Sequence, residues 1–375
     1  MKPVNILKII LLQVLLLIAI NTNAQLTSCG DLKIDTAALQ KAKNFEKINR
    51  SAARPLAANF LIRVYFHIVA YNDGTNAVTT LQTIKNEFDT LRADYAGTGI
   101  CFTFAGYDFV NNSYLDSNFN ANNDDPNLFD PYRISSCINI FYVQKIKGTN
   151  TACANNCGIG GTSLSIPSTI CLISSGNIGP GRTISHEVGH CMGLSHTFTK
   201  AFGLENIDGS NSTTAGDQVT DTPADPYAYN GNQCFSVSGC TYNGYCPDPN
   251  GETNFIPPYT NLMSYWLSVI PSRQCIPTLH LTPGQYSRIN GFLSTNTALL
   301  TCGTPYTDYT IPPITRSTGY IFFSALNNIS TNGNVNLSGT LKTSVSGQTI
   351  RLNPGFHAGA MMGSGRIIIT GTVCN

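Results

Sequence analysis

Three imidazoles and a carboxylate crowd the run His186-Glu187-Val188-Gly189-His190-Cys191-Met192-Gly193-Leu194-Ser195-His196. If its first half is helical, His186 and His190 leave one face with Cβ atoms about 5–6 Å apart, close enough for one small cation to hold both. Zinc takes imidazole nitrogens at about 2.0–2.1 Å, and a catalytic zinc site wants three protein ligands with a fourth position left for water. His196 can be the third ligand, but not from the same helix, because six residues on is about 600° of rotation. Gly193 resolves this, since glycine takes the left-handed conformation that ends a helix and turns the chain back beneath the metal. Glu187 falls beside the open position, where its carboxylate suits proton transfer from the metal's water rather than metal binding.

The chain holds 6 His and 33 Gly in 375 residues. At such frequencies the five fixed positions (His186, Glu187, His190, Gly193 and His196) coincide by chance in roughly one in 10⁶ chains, which sets them apart from a bare HExxH. The run resembles the long zinc signature of the metzincin metallopeptidases. Asn261-Leu262-Met263-Ser264-Tyr265 has the form of that family's Met-turn. With His196-Thr197-Phe198 and Asp221-Thr222-Pro223, the chain is most similar to the pappalysin branch, roughly from Ala58 to Cys302.

The resemblance implies an α+β fold: a metzincin-like catalytic domain with a twisted mixed sheet, an active-site helix and an irregular lower subdomain. It implies zinc at His186, His190 and His196, with Glu187 as general base and acid. Met263 would lie as an apolar floor beneath the ligands, and Tyr265 would approach the metal or the reacting carbonyl. The activity implied is that of a secreted zinc-dependent endopeptidase acting on protein or peptide substrates. Calcium is a second cation to weigh, because Asp208, Asp217, Asp221 and Asp225 offer hard oxygen ligands, although their spacing matches no EF-hand loop and a solvated turn is the simpler reading. Two rivals stay open: a secreted binding or adhesion protein on a degenerate peptidase scaffold, and hydrolysis of a non-peptide amide.

Several elements must position these residues. Phe60 to Ala70 reads as a strand covered on both faces, and its His67 as packed core. Leu81, Ile84, Phe88 and Leu91 mark an amphipathic helix over Thr79 to Tyr95. Ile100 to Tyr107 and Ile138 to Val143 read as strands, with Asn- and Asp-rich coil from 111 to 130 between them. In the fold implied by the resemblance, Ser163 to Ser174 would be the sheet's edge strand along the cleft, where an extended peptide can add as one more strand. Arg182 to Gly193 is the active-site helix, contributing Val188, Cys191, Met192 and Leu194 to the core. A last helix opens at Thr282-Pro283-Gly284-Gln285, with Tyr286, Ile289 and Phe292 facing inward.

The ends carry other signals. Lys2 and Lys8 accompany an apolar run from Ile6 to Ile20 that closes at Ala24, so residues 1–24 read as a secretory signal peptide. Its removal takes two lysines and no acid, moving the formal net charge from +1 to −1. Neither value argues for nucleic acid, and no later segment is apolar enough for membrane insertion. The 13 Cys of an exported chain imply disulfides, and an odd count leaves at least one thiol free, metal-bound or intermolecular. Cys234, Cys240, Cys246 and Cys275 are expected to staple the irregular segment around the Met-turn, and Cys153 and Cys157 a small loop.

Residues 25–57 read as a pro-segment with a helical pattern over Ala37 to Asn49. Within it, Cys29 either caps the zinc of the precursor, as in a cysteine switch, or joins a disulfide. The catalytic domain is expected over 58–303, a linker rich in Thr, Tyr and Pro over 304–317, and a small all-β module over 318–375. The module's Asn-Gly and Pro-Gly turns divide short alternating runs. It could contact polysaccharide or a cell surface, or merely cover the catalytic domain.

Overall fold

Only Arg63 and His67 interrupt the apolar run of β1 (Phe60–Ala70), so this strand suits the centre of a sheet covered on both faces, and every residue after Phe60 is buried. Before it comes α1 (Thr36–Arg50); after it, α2 (Leu81–Asp94) starts at Thr80, whose hydroxyl accepts from the Thr83 backbone N–H at 3.2 Å. The strands β2 (Ile100–Asn111) and β3 (Ile138–Val143) flank β1, both parallel to it. The polar stretch between them, expected as coil, holds the single turn of α3 (Ser113–Ser117) and a 3-10 helix over Pro126–Tyr132. The computed structural model describes residues 33–50, 60–148, 159–179, 182–229, 234, 236–238, 241–266, 279–296, 306–318, 320–339, 341–346, 349–361 and 366–370. The signal-peptide segment, Cys29, Cys153, Cys157, Cys240 and Cys275 lie outside the described residues.

The sheet is completed by β4 (Gly161–Ser163) and β5 (Ile170–Ser174), in the order β2-β1-β3-β5-β4. This corrects the expected edge strand. The apolar run Ile170–Ile173 is an inner strand parallel to β3, and the antiparallel edge is the shorter β4. The division follows from side chains: β5 can be covered on both faces, whereas the hydroxyls of Thr162 and Ser163 turn to nearby carbonyls, those of Ser163 and Ser165. His67 is fully buried as expected of core, with Nδ1 2.7 Å from Asp108 Oδ1 and Nε2 3.1 Å from Asn139 Oδ1.

Helix α4 (Thr183–Cys191) lies with α2 against one face of the sheet. Its Val188 and Cys191, with Met192 and Leu194 just beyond, join Phe66, Phe102, Ile140 and Ile173 in the main core, as the sequence pattern requires. Among its described residues the lower part is irregular apart from a 3-10 turn over Pro226–Ala228 and the hairpin of β6 (Val237–Ser238) and β7 (Thr241–Tyr242), beside a Cys234–Cys246 disulfide. It ends in α5 (Pro283–Thr295), which opens with a capping box between Thr282 and Gln285.

The C-terminal strands are β8 (Tyr306–Ile311), β9 (Ile314–Arg316), β10 (Tyr320–Thr331), β11 (Val335–Gly339), β12 (Lys342–Ser346), β13 (Thr349–Arg351), β14 (Phe356–Met361) and β15 (Arg366–Thr370). Residues 306–316, expected as linker, therefore belong to the β module: β8 pairs with β10, and β9 with β11. Every described ladder of the module is parallel. Ile314 pairs with Val335 and Val335 with Phe356, each step 21 residues, so the chain winds as successive coils of a short β-solenoid. The Asn332-Gly333 and Pro354-Gly355 turns are stacked corners of this coil, with the Val335 N–H donating to Gly355 O at 2.9 Å. Phe322 seats the module against Tyr65, Ala105 and Ile134, with the Arg63 guanidinium 5.4 Å from its ring. Among the described residues no helix is long and apolar enough to cross a membrane.

Candidate active site

Helix α4 projects His186 and His190 from adjacent turns of one face, and the chain then stops being helical. Gly193 has φ +93°, and a Cβ there would lie 1.9 Å from the Phe292 ring, so both conformation and space demand glycine. The turn delivers His196 to the other two. Nε2 of His190 lies 3.1 Å from that of His186 and 3.0 Å from that of His196, and the third separation is 3.2 Å.

Backbone carbonyls fix the rings. Nδ1–H of His186 donates to Leu262 O and that of His190 to Leu194 O, both at 2.7 Å, which leaves the Nε2 lone pairs of these rings facing inward. Burial lowers the His186 pKa to about 4. It also holds His190 and His196 well below the usual imidazole range, with neighbouring imidazoles adding to the effect. Neutral rings aimed at one point are suited to a metal ion and otherwise repel. The edge of a tetrahedron of nitrogens at about 2.0–2.1 Å is about 3.3 Å, close to the three separations here, so this donor set fits zinc. It is the single group of three or more His, Cys, Asp or Glu ligand atoms among the described residues clustered tightly enough for a metal ion.

Glu187 is buried, its carboxylate alongside β4, where a Cβ on Gly161 would be 2.5 Å from Oε1. Met263 packs beneath α4: a Cβ at Gly189 would lie 2.6 Å from its Sδ. Tyr265 brings its hydroxyl within 3.2 Å of His196 Nε2. Phe198 stacks on the His196 ring, with centroids 4.5 Å apart.

One organising residue escaped its proper reading. Asp225 is buried, and its carboxylate accepts from Thr197 Oγ1 at 2.6 Å, Ser264 Oγ at 3.3 Å, Trp266 Nε1 at 2.8 Å and Tyr227 N at 2.9 Å. It thereby ties the residue after the third imidazole to the Met-turn. Burial raises its pKa in spite of these four donors. The sequence offered it only as one acid in a polar loop. Asp221 is likewise engaged, accepting from Thr282 Oγ1 at 2.6 Å and Gly284 N at 2.7 Å at the start of α5. The exposed Asp208 accepts from Ser210 N at 2.9 Å. Asp217 differs, with a buried Oδ2 that has no hydrogen-bond partner. Burial raises its pKa to about 7. Glu205, absent from the sequence expectation, is pushed to about 8 by burial and then by the charges of Asp217 and Asp225.

Comparison with known proteins bears on this geometry. An extracellular metalloprotease of Podospora anserina is 30% identical over 264 residues, covering 67% of this chain and 79% of that protein. One from Arthroderma benhamiae is 29% identical over 46% of this chain and 58% of its own length, and one from Verticillium alfalfae 28% identical over 69% and 83%. No protein-family model matches the chain. Among solved structures, mature mirolysin of Tannerella forsythia in complex with a cleaved peptide is similar with a TM-score of 0.41 and 17% identity, over 64% of this chain and 93% of that one, a likeness too slight to carry an argument.

Proposed function

The chain belongs to the extracellular metalloproteases, and on that premise we propose that it is a zinc endopeptidase of metzincin type, cutting protein or peptide substrates outside the cell. The observation that carries the zinc assignment is the convergence of three Nε2 atoms to within 3.0–3.2 Å of one another. His186, His190 and His196 would hold the ion. Zinc bound there supplies Lewis acidity, drawing the pKa of water towards 7 and polarising a carbonyl. Glu187 takes the proton of the attacking water and returns it to the leaving amine. The Tyr265 hydroxyl donates to the carbonyl oxygen as that oxygen gains charge. Met263 is the apolar floor that keeps the imidazoles in place. The outermost position of β4, beside Glu187, supports binding of an extended substrate as an added strand. The pappalysin-like assignment rests on the Thr197-Phe198, Asp221-Thr222-Pro223 and Ser264-Tyr265 residues that accompany the zinc signature.

Glu187→Gln tests this reading. An amide neither accepts nor relays the proton, so turnover of a quenched peptide should fall by about 10²–10⁴-fold while zinc content by elemental analysis stays at one per chain. Near-normal turnover would refute the role given to Glu187.

Two finer assignments belong to the same reading. Cys29 supplies a thiolate to the zinc of the precursor, supported by the position of Cys29 upstream of the catalytic domain. Its signature is a zinc–sulfur distance of about 2.3 Å in the precursor that Cys29→Ala abolishes. Calcium, expected at Asp208, Asp217, Asp221 and Asp225, has in its favour the buried Asp217 Oδ2, which is without a hydrogen-bond partner. Calcium removal that spares zinc should lower the Tm by several degrees, and Asp217→Asn should abolish that difference. An unchanged Tm would remove calcium from the account. For the β module, a surface or polysaccharide contact rests on sequence pattern alone.

A further inference from the structure

The stretch expected to leave as pro-segment contains a helix built into the catalytic domain. Lys33 to Asp35 run beside the β4–β5 connection: Ile166 N donates to Lys33 O and Asp35 N to Ile166 O, both at 2.8 Å. Asp35 Oδ1 then accepts from Ala37 N and Ala38 N at 3.0 Å, starting α1 on a fixed footing. Ala38, Leu39 and Ala42 are buried against Phe292 of α5. The two helices approach so closely that a Cβ at Gly291 would lie 2.8 Å from Ala42 O.

Charge fixes the register of this contact. Glu46 and Arg288 form an ion pair with side chains only 5% and 3% exposed. Arg288 also donates to Gln218 O at 2.8 Å, and Lys43 Nζ reaches Thr213 O at 3.1 Å and Gln218 Oε1 at 3.0 Å. Loss of the helix would leave a buried guanidinium without its carboxylate, the costly way to break such a pair. It would also uncover Phe292, whose ring supports the Gly193 turn that delivers His196.

We propose that residues 33–50 are a permanent part of the peptidase, and that a cut between Arg50 and Phe60 leaves them seated on α5 as a second, non-covalent chain. The removable segment ends before Lys33. The structural claim stands on the packing alone; its effect on activity rests on the peptidase reading above.

The test uses the full chain with a site-specific protease sequence inserted between Ser51 and Leu56. After cutting, native size-exclusion chromatography with mass spectrometry should find the peptide carrying residues 33–50 in the same peak as the body, separating only in denaturant. Glu46→Gln should speed its dissociation roughly tenfold, the effect of losing one charge-assisted contact. Stripping the peptide should lower peptidase turnover, and a synthetic 33–50 peptide should restore it. A cut peptide that elutes alone from a body still folded by circular dichroism would overturn the proposal, as would turnover that rises when the peptide leaves. If no form cleaves peptides, the peptidase reading fails and co-elution still decides the fate of the helix.

Discussion

At the scale of single residues, the site depends on carboxylates with different duties. Glu187 stands on the helix that carries two of the histidines, so its place beside them could be read from neighbours in sequence. Asp225 could not, because its donors come from Thr197, Ser264 and Trp266, 28, 39 and 41 residues away. Asp225→Asn replaces one accepting oxygen with a donor and strands two hydrogen atoms that now point at it. The variant should lose about 2–4 kcal/mol of stability, measured by denaturant unfolding. Peptidase turnover should fall with it, because the turn after His196 and the Met-turn lose their common anchor. An Asn variant as stable as the parent would show that the four hydrogen bonds are dispensable.

At the scale of elements, α2 holds the entrance to the zinc helix. Glu87 accepts from Gly179 N at 2.9 Å, Asp94 accepts from Ser185 Oγ at 2.6 Å and pairs with Arg182, and Tyr95 donates to Ser185 O at 2.9 Å. The amphipathic spacing of α2 was plain in the sequence, yet nothing there tied Glu87 to a loop 92 residues away. Burial raises the Glu87 pKa from 4.5 to about 7, against the pull of the Gly179 N–H. Between those values the unfolded chain loses this proton and the folded chain keeps it, so Glu87 erodes stability as pH rises from 4.5 towards 7. Glu87→Gln should therefore match the parent at pH 4.5 and exceed it at pH 8 by up to about 3 kcal/mol. Urea unfolding of both proteins at the two pH values measures this. A difference independent of pH would contradict it.

At the scale of the whole molecule, the zinc signature and the Met-turn sequence were legible because each is local in sequence. The strand order was less legible. Alternating apolar runs show that Ile170–Ile173 is a strand, but only pairing shows that it lies inside the sheet with β4 at the edge. The β module misled more, since a stretch of Thr, Tyr and Pro reads as linker. A parallel coil also hides its period, because Gly333 and Gly355 have the local chemistry of ordinary turns while their stacking joins residues about one coil apart. Likewise α1 was visible as a helix but not as a permanent neighbour of α5, whose Arg288 lies 242 residues from Glu46.

X-ray absorption at the zinc edge of the purified, active protein tests the central claim most directly. It should find one zinc per chain with three imidazole nitrogens at about 2.0–2.1 Å and a light-atom fourth ligand. Full activity in material free of transition metal, or a thiolate ligand retained in the active form, would contradict it.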